Sequence, residues 1–340
     1  MQLKVIHTLP EMNALSDEWN NLLIHSASHV PFLRHEYLSI WWQTLGGGEW
    51  PHGELHTVTA RQEDGQLVGI APLFFTDNRD GEPALMFLGS IEISDYLDVI
   101  APTEQLPTFL DELLDHLDSP LAPAWRVLDL YNLLDSSPTL PALKEAAARK
   151  GWSYTEEPLQ HCPYIPLPGD WEVYLAGVDK KQRHEIRRKM RRIEENGQPV
   201  RWYIVDDEAK LDGEVDEFFR LMEQDPKKQR FLTPIMREQM RAMARAFYKA
   251  GWLQLAFVEV GGEKMAVYFN FDYMNQVWVY NSGLDFKYYE YSPGWVLLAY
   301  ILRWANEQKR ECLDFMRGEE DYKYRFGALD RRVVRAIVRR

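Results

Sequence analysis

Charged and aromatic side chains crowd the end of a short apolar segment in the stretch LDFMRGEEDYKYRFGA, residues 313–328. Arg317 and Lys323 could neutralise a phosphate or the oxyanion of a tetrahedral intermediate. Glu320 could accept a proton or orient Arg317, and Tyr322 supplies a phenol beside it. A structural cluster of salt bridges explains the same residues. The stretch therefore indicates either a polar ligand site or an ion-paired turn after a core strand.

A second candidate is the triplet Ser292-Pro293-Gly294, at the start of a predicted helix that runs to about Arg310. Serine is a preferred N-cap residue, proline a preferred first helical residue, and glycine lets a ligand approach the backbone. The free N–H groups and the dipole of a first helical turn suit a phosphate or pyrophosphate. An ordinary capped helix also explains the triplet, so by itself it names no ligand.

A third candidate is the basic stretch KKQRHEIRRKMRR, residues 180–192, in which eight of thirteen residues are Lys or Arg. Its apolar residues recur at helical spacing, so one face packs and the rest is basic. We predict a patch for a phosphorylated or acidic ligand that includes Arg187 and Arg188. A solvated helix face balanced by neighbouring glutamates is the alternative.

The fourth candidate is SDYLDV, residues 94–99, which we predict to be the end of a strand. In a strand Tyr96 and Asp98 share one face, while Asp95 lies on the other. Two acids beside a tyrosine could hold a substrate amine or hydroxyl, or supply a general base. A polar strand end without a ligand explains them as well.

The elements that would position these residues alternate between helical and strand periods in both halves of the chain, which predicts a mixed α/β (α+β) fold. The stretch DGQLVGIAPLFF resembles GGEKMAVYFNF, and GSIEISDYLDVI lies roughly where VWVYNSGLDF lies, so we infer an internal duplication. The stretch PYIPLPGD interrupts both periods with three prolines and a glycine. We therefore predict two domains, residues 1–165 and 166–340.

The composition limits the classes of function. A formal net charge of −13 argues against general affinity for DNA or an anionic membrane. The two cysteines and nine scattered histidines have no metal-binding spacing, so no metal is predicted. The chain has no GxSxG elbow, Walker loop or GxGxxG after a strand. It shows no signal peptide and no apolar run near the roughly 20 residues of a membrane span. We expect a soluble, cytoplasmic protein.

The order of five stretches resembles a known family: GQLVGIAPLFF, FLGSIEISDYLDV, KKQRHEIRRKMRR, VYNSGLDFKYYEYSPGW and LDFMRGEEDYKYRFGA. The family is the GNAT-like acyltransferases that include CelD-type proteins of cellulose biosynthesis, related to the Fem-type peptidoglycan aminoacyltransferases. The resemblance spans roughly residues 15–335. It implies tandem GNAT-type domains, each a mixed sheet flanked by helices, and an acyl-CoA donor, most simply acetyl-CoA.

In GNAT proteins the CoA pyrophosphate lies at the N-terminus of the helix after the fourth strand, which by position is the helix at Ser292. The family signature has Arg or Gln three residues before the glycine and Gly or Ala two after it. Here those places hold Tyr291 and Val296. The cofactor ligands expected from the resemblance and the basic patch are Ser282, Ser292, Gly294, Arg187 and Arg188.

The resemblance implies direct acyl transfer from the thioester to an amine. The predicted general base is Asp95 or Glu320, and Tyr280 or Tyr322 would return a proton to the leaving thiolate. Oxyanion donors would be N–H groups of VYNSG, helped by Asn281 or Arg317. The residues predicted to bind the acceptor are Tyr96, Asp98, Asn281, Arg317 and Lys323.

Two alternatives remain at this stage. The first is a Fem-like aminoacyltransferase, in which the basic helix at 180–192 would touch aminoacyl-tRNA. The second is a non-catalytic binding protein in polysaccharide assembly, which would keep its role without Asp95 and Glu320. The sequence leaves open whether the acceptor is a small molecule, a saccharide or a peptide, and it does not specify the acyl chain or the oligomeric state.

Overall fold

The computed structural model describes residues 1–340. The strands are β1 Gln2–Ile6, β2 Glu54–Leu55, β3 Thr57–Arg61, β4 Leu67–Ala71, β5 Leu73–Asp77, β6 Pro83–Phe87, β7 Val127–Leu134, β8 Ser153–His161, β9 Tyr164–Pro166, β10 Val200–Ile204, β11 Leu253–Val260, β12 Glu263–Tyr273, β13 Gln276–Leu284, β14 Cys312–Asp314 and β15 Arg332–Arg339. The helices are α1 Leu9–Asn13, α2 Ser16–Ile24, α3 His35–Gly48, α4 Leu106–Asp118, α5 Thr139–Arg149, α6 Trp171–Gly177, α7 Lys180–Glu194, α8 Glu208–Met222, α9 Pro226–Phe231, α10 Pro234–Lys249, α11 Pro293–Glu307 and α12 Asp321–Arg325. Short 3₁₀ helices occupy Pro31–Leu33 and Phe286–Tyr291.

The chain divides into two compact units. The first unit comprises Met1–Gln160 together with Arg332–Arg340, and the second comprises His161–Arg331. The predicted division after residue 165 assigned the whole C-terminus to the second domain, whereas the last strand belongs to the first unit. The physical reason is strand pairing, because β15 forms an antiparallel ladder with β7 over most of its length.

The first unit contains a six-stranded sheet, β2-β5-β6-β7-β15-β8, and a three-stranded sheet, β1-β3-β4. A single hairpin supplies strands to both sheets, because Pro72 separates β4 from β5 and His56 separates β2 from β3. Proline has no N–H to donate to a ladder, so a strand breaks there readily. Helix α4 connects the parallel neighbours β6 and β7 and buries a stripe of leucines.

The second unit contains one six-stranded sheet in the order β10-β11-β12-β13-β14-β9. Strands β13 and β14 are parallel and joined by α11, whereas the other neighbours are antiparallel. One face packs on α7 and α11 through residues such as Ile186 and Leu297. On the opposite face, Phe218 of α8 contacts Phe269, and Phe247 of α10 contacts Phe271.

Both units repeat one order of elements, which supports the predicted duplication. The shared order starts at β1 or β10, continues through three helices and an antiparallel meander, and ends in a strand–helix–strand crossover. In the second unit β9, α6 and α7 precede this order. The crossover is β6–α4–β7 in the first unit and β13–α11–β14 in the second, and each joins two parallel strands. In each unit, therefore, one helix connects a short pair of parallel strands.

The stretch 94–99 is not a strand, contrary to the prediction. Strands β6 and β7 pair only at Ala84–Val127 and Leu85–Leu128 before they separate. The loop after β6 fills the gap between them: the Leu97 N–H donates to the Asn132 carbonyl, and the Asn132 amide donates to the carbonyls of Ile91 and Ser94, each at 2.9 Å. The chain thus closes the first crossover gap with its own residues.

Candidate active site

The two parallel strands of the second unit also separate after a short contact. β13 and β14 pair at three positions, from Gln276–Cys312 to Trp278–Asp314. Beyond Trp278 no strand pairs with that edge of β13, although β13 continues to Leu284. In α/β sheets, ligands bind in the crevice at the carboxyl ends of parallel strands where the chain crosses over. The separation therefore identifies one crevice to inspect for functional residues.

A β-bulge in β13 decides which of its side chains face this crevice. Phe269 lies opposite Asn281 and Asn270 lies opposite Val279, so Tyr280 is the extra residue. One extra residue shifts the alternation of faces in the strand beyond it. As a result Ser282, which lies opposite Tyr268, joins the face that carries α11.

A cavity of about 310 Å³ lies on this face, at the N-terminus of α11. Its walls come from β12, β13, α7, α11, α12 and the 3₁₀ helix before α11. The lining residues are Lys189, Tyr268, Ser282, Leu284, Tyr289, Ser292, Pro293, Gly294, Trp295 and Tyr322. Ser282, Ser292, Gly294 and Tyr322 were predicted as site residues. Lys189, Tyr268 and Trp295 were not, because only the packing of separate elements brings them to the cavity.

The first turn of α11 presents free backbone donors to the cavity. Ser292 stands at the N-cap position, but its φ of 51° is left-handed and its hydroxyl makes no capping bond, which corrects the prediction of a serine cap. The Val296 N–H bonds to the Ser292 carbonyl at 3.1 Å, and Pro293 has no N–H. The N–H groups of Gly294 and Trp295 are left without a partner in the protein. Two such groups at a helix N-terminus attract an anion.

Positive charge and a further donor lie beside these N–H groups. The Lys189 ammonium of α7 lies 4.0 Å from the ring centroid of Trp295 and 3.6 Å from the Glu185 carboxylate. Burial lowers the pKa of Lys189, against the opposing effect of Glu185. The indole N–H of Trp295 is buried and has no hydrogen-bond partner. The wall at the start of α11 therefore carries unpaired donors and a cation, as an anionic ligand requires.

Two phenols, Tyr268 of β12 and Tyr322 of α12, line the cavity and hydrogen-bond to each other. Burial raises the pKa of both phenols, and the nearby charge of Glu320 adds to the effect. Both remain protonated at neutral pH, so the pair can pass a proton toward a developing anion.

Lys323 does not offer its ammonium to a ligand, which corrects its prediction as an acceptor-binding residue. Its side chain is nearly inaccessible, and its ammonium donates to the carbonyls of Arg317 at 3.1 Å and Gly318 at 2.9 Å. It also pairs with the Glu320 carboxylate at 2.8 Å. Burial opposes ionisation of Glu320, but the hydrogen bond and charge of Lys323 outweigh it and lower the pKa. The lysine thus fixes the loop that ends β14 and keeps Glu320 ionised.

Lys228 of α9 is a site residue that the sequence reasoning missed. Its ammonium donates to the Asn281 side-chain carbonyl at 3.1 Å and to the Ser282 hydroxyl at 3.3 Å, and it also bonds to the Ser282 carbonyl. Burial lowers its pKa, while the charges of Asp225 and Glu320 act in the opposite direction. The sequence signal was only a lysine in a short polar helix. Its hydrogen-bond partners lie 53 and 54 residues further along the chain, so only tertiary packing brings them to the lysine.

Three other predicted residues of this unit do not line the cavity. The Tyr280 ring packs against Phe271, with centroids 5.1 Å apart, on the face that carries α8 and α10. Arg187 pairs with Glu172, and Arg188 pairs with Glu185 at 2.7 Å. Neither arginine belongs to the buried apolar side of α7, and the neighbouring carboxylates neutralise both.

The predicted residues of the first unit are buried. Asp98 accepts hydrogen bonds from the Ser28 hydroxyl at 2.5 Å and the Ser137 hydroxyl at 2.6 Å, and burial raises its pKa. It ties separate segments together and offers no open carboxylate, which corrects its prediction as a substrate ligand. Asp95 and Tyr96 are also buried, and Tyr96 adopts a left-handed backbone with φ of 58°. These two belong to the loop that fills the β6–β7 gap.

Comparison with known proteins agrees with this geometry. A family model described as an acetyltransferase (GNAT) domain matches residues 180–324. The second unit carries a GNAT acetyltransferase domain. The GNAT match begins with α7 and ends within α12, so it encloses the bulge, the crevice and the cavity. No curated protein matches the chain.

Three solved structures share the fold of the whole chain at low sequence identity. FemX aligns with a TM-score of 0.64 and 11% identity, covering 99% of this chain and 97% of FemX. A conserved protein of unknown function from Bacteroides thetaiotaomicron aligns with a TM-score of 0.61 and 14% identity, covering both chains completely. L-PGS from Bacillus licheniformis aligns with a TM-score of 0.56 and 11% identity, covering 94% of this chain and 90% of L-PGS.

The predicted fold class is confirmed: both units contain mixed sheets flanked by helices, and the second matches the GNAT family model. None of the helices is long and apolar enough to cross a membrane. The GNAT domain supports acyltransferase chemistry.

Proposed function

We propose that the protein transfers an acyl group, most simply acetyl, from CoA to an amine of a small-molecule, saccharide or peptide acceptor. The observation that carries the proposal is the cavity of the GNAT domain, which is lined by Gly294 and Trp295 with their free N–H groups and by the part of β13 that no longer pairs with β14. The resemblance to CelD-type proteins favours an acceptor from polysaccharide biosynthesis.

Different residues in and beside the cavity could bind the pyrophosphate, the pantetheine arm and the thioester of an acyl-CoA. The N–H groups of Gly294 and Trp295 would hold the pyrophosphate, with the charge of Lys189 nearby. The unpaired edge of β13 offers backbone groups to the amides of the pantetheine arm, as an added strand would use them. The bulge at Tyr280 and Asn281 would then receive the thioester.

The chemistry needs a base, oxyanion donors and an acid. The ionised Glu320 carboxylate lies near Tyr268 and Tyr322, so it could attract an acceptor ammonium and receive its proton. Tyr322, supported by Tyr268, would return a proton to the leaving thiolate, and the amide of Asn281 with N–H groups of the bulge would contact the oxyanion.

An aminoacyl-tRNA donor is the second candidate function. The alignment of FemX along nearly the whole chain favours it, since the sequence resembles Fem-type aminoacyltransferases. On α7, Lys180, Lys181 and Arg191 have no carboxylate partner and could contact phosphates. The net charge of −13 weighs against a large nucleic-acid interface.

The test is calorimetric titration of the protein with acetyl-CoA and with free CoA, repeated on Gly294→Trp and Gly294→Ala. A Cβ at Gly294 would meet only Leu284, at 3.6 Å, which is ordinary contact. We therefore expect the alanine variant to fold and bind like the wild type. The indole of the tryptophan variant would occupy the cavity and abolish binding.

The outcomes separate the candidates. Saturable binding that only Gly294→Trp removes would support a CoA donor at this helix. A folded wild-type protein that binds neither ligand would exclude the acyl-CoA function. Salt-sensitive binding of aminoacyl-tRNA in that case would support the second candidate. Failure to bind any of these three ligands would leave a non-catalytic binding role in polysaccharide assembly.

A further inference from the structure

The ammonium of Lys228 has no carboxylate partner within salt-bridge distance, although it is turned inward onto β13. Its contacts are neutral oxygens of Asn281 and Ser282. Buried charges in proteins are usually paired or bound to a ligand, because desolvation of an unpaired ion is costly. A negatively charged ligand could therefore still form an ion pair with Lys228.

Two of its three hydrogen bonds are long. The bonds to the Asn281 side chain and the Ser282 hydroxyl are 3.1 and 3.3 Å long, at or beyond the long end of the usual range. The Ser282 hydroxyl can rotate, whereas the Asn281 side-chain carbonyl also accepts from the Ser282 N–H at 2.8 Å. The third bond, to the Ser282 carbonyl, anchors the ammonium to the backbone. A negatively charged oxygen would form shorter and stronger bonds than the two neutral side chains do.

The ammonium lies where acyl transfer would place negative charge. Asn281 belongs to the bulge of β13, and Ser282 lines the cavity one residue later. The charge of Glu320, at the opposite side of the crevice, acts on Lys228. The cation thus contacts a residue that lines the cavity, which would hold the donor, and interacts electrostatically with the carboxylate that would meet the acceptor.

We propose that Lys228 stabilises the oxyanion of acyl transfer and holds the bulge in the geometry that this transfer requires. The proposal rests on the proposed acyl-CoA function. When the acceptor nitrogen forms its bond to the thioester carbon, the carbonyl π electrons move to oxygen and create the oxyanion. When the carbonyl re-forms, the C–S bond breaks and its electron pair leaves on sulfur. The nitrogen loses one proton to the base and the sulfur gains one from the acid, so Lys228 keeps its protons throughout.

A purely structural role makes a different prediction. A methionine at 228 would fill a similar volume without the desolvation cost of a charge, and replacing buried ions by apolar groups is often neutral or stabilising. If Lys228 only fills space, Lys228→Met should leave every ligand unaffected. If Lys228 provides charge, the substitution should affect only ligands with negative charge at the acyl position.

The experiment compares two probes by calorimetry, free CoA and S-carboxymethyl-CoA. The second carries a carboxylate one methylene away from sulfur, close to where the oxyanion would form. We expect the wild type to bind carboxymethyl-CoA at least tenfold more tightly than CoA, which corresponds to about 1.4 kcal/mol. Lys228→Met should remove this preference and keep the affinity for CoA. Lys227→Met, on the exposed neighbour in the same helix, should change neither.

Lys228→Arg guards against a folding defect in the methionine variant, because it keeps the charge and should keep most of the preference. Thermal unfolding of all variants is measured alongside. A preference that persists in folded Lys228→Met, or that is absent from the wild type while CoA binds, would overturn the role of Lys228 and leave the proposed function intact. If CoA itself does not bind to the wild type, the proposed function fails and the role of Lys228 fails with it.

Discussion

The phenol of Tyr322, on a short helix after β14, hydrogen-bonds to the phenol of Tyr268, on the strand next to β13. The bond joins two sides of the crevice in the GNAT domain, and burial keeps both groups protonated by raising their pKa. One phenol can therefore donate a proton to a leaving group while the other compensates for the charge that remains.

Loss of the Tyr322 hydroxyl should slow thiol release without weakening donor binding. In Tyr322→Phe we expect kcat for acetyl-CoA cleavage, with water or a screened amine as acceptor, to fall by about a hundredfold, the lower range for general acid catalysis. Tyr324→Phe, on the more exposed tyrosine of the same helix, is the matched control. A rate for Tyr322→Phe equal to that of the control would remove the phenol from the mechanism.

Each chain should bind one CoA donor, although it contains two crossover repeats. The gap between β6 and β7 is filled by the loop around Leu97, which bonds to Asn132, whereas the part of β13 beyond Trp278 lines the cavity with Ser282 and Leu284. Calorimetry should give a stoichiometry of one, and Gly294→Trp should abolish all binding. Two sites per chain, or a site that survives this substitution, would show that the first repeat also binds the donor.

The ion pair between Arg335 and Asp129 should stabilise the first unit strongly. The guanidinium donates to both carboxylate oxygens, at 2.6 and 2.8 Å, and the side chain of Asp129 is completely buried. Arg335→Met would leave a buried carboxylate without its cation, so we expect a loss of about 3–5 kcal/mol in the free energy of unfolding. Urea denaturation measures the change.

Arg339→Met is the control for that comparison, because its pair with Glu82 is partly exposed. We expect a loss of at most about 1 kcal/mol there. Equal effects of the two substitutions would contradict the difference in burial as the cause.

The first unit should lose stability in mild acid. Burial, with smaller contributions from the charges of His116 and His7, lowers the pKa of His56 to about 4. An unfolded histidine titrates near 6.5, so the unfolded state binds more protons between the two values. The stabilisation is complete above about pH 6.5 and decreases as the pH falls toward 4, by about 2 kcal/mol for this group at pH 5.

The measurement is urea denaturation at pH 7.5 and pH 5. In His56→Asn the difference in unfolding free energy between the two pH values should shrink by about 2 kcal/mol, because the neutral amide does not titrate. His52→Asn, at an exposed position, should leave it unchanged. An undiminished pH dependence in His56→Asn would assign the acid sensitivity to other groups.

Local pattern and order were enough to predict the fold class and one wall of the site. The repeated strand and helix periods predicted two related α/β units, and the triplet at Ser292 marked the start of α11 correctly. These features depend on neighbours within a few residues, where side-chain spacing and the chemistry of proline and glycine act directly. The prediction of SDYLDV as a strand was wrong, because the loop is shaped by its bonds to Asn132 in a distant strand.

The amino-acid sequence by itself determined the elements, their duplication and the residue types available at the crevice. Tertiary structure decided which of these residues meet. The bulge at Tyr280 places Ser282 on the face of the cavity. The carbonyls of Arg317 and Gly318 accept hydrogen bonds from Lys323. Helix α9 places Lys228 within hydrogen-bond distance of Asn281 in the bulge. Periodicity cannot encode such choices, because they depend on one inserted strand residue and on hydrogen bonds between segments far apart in the chain.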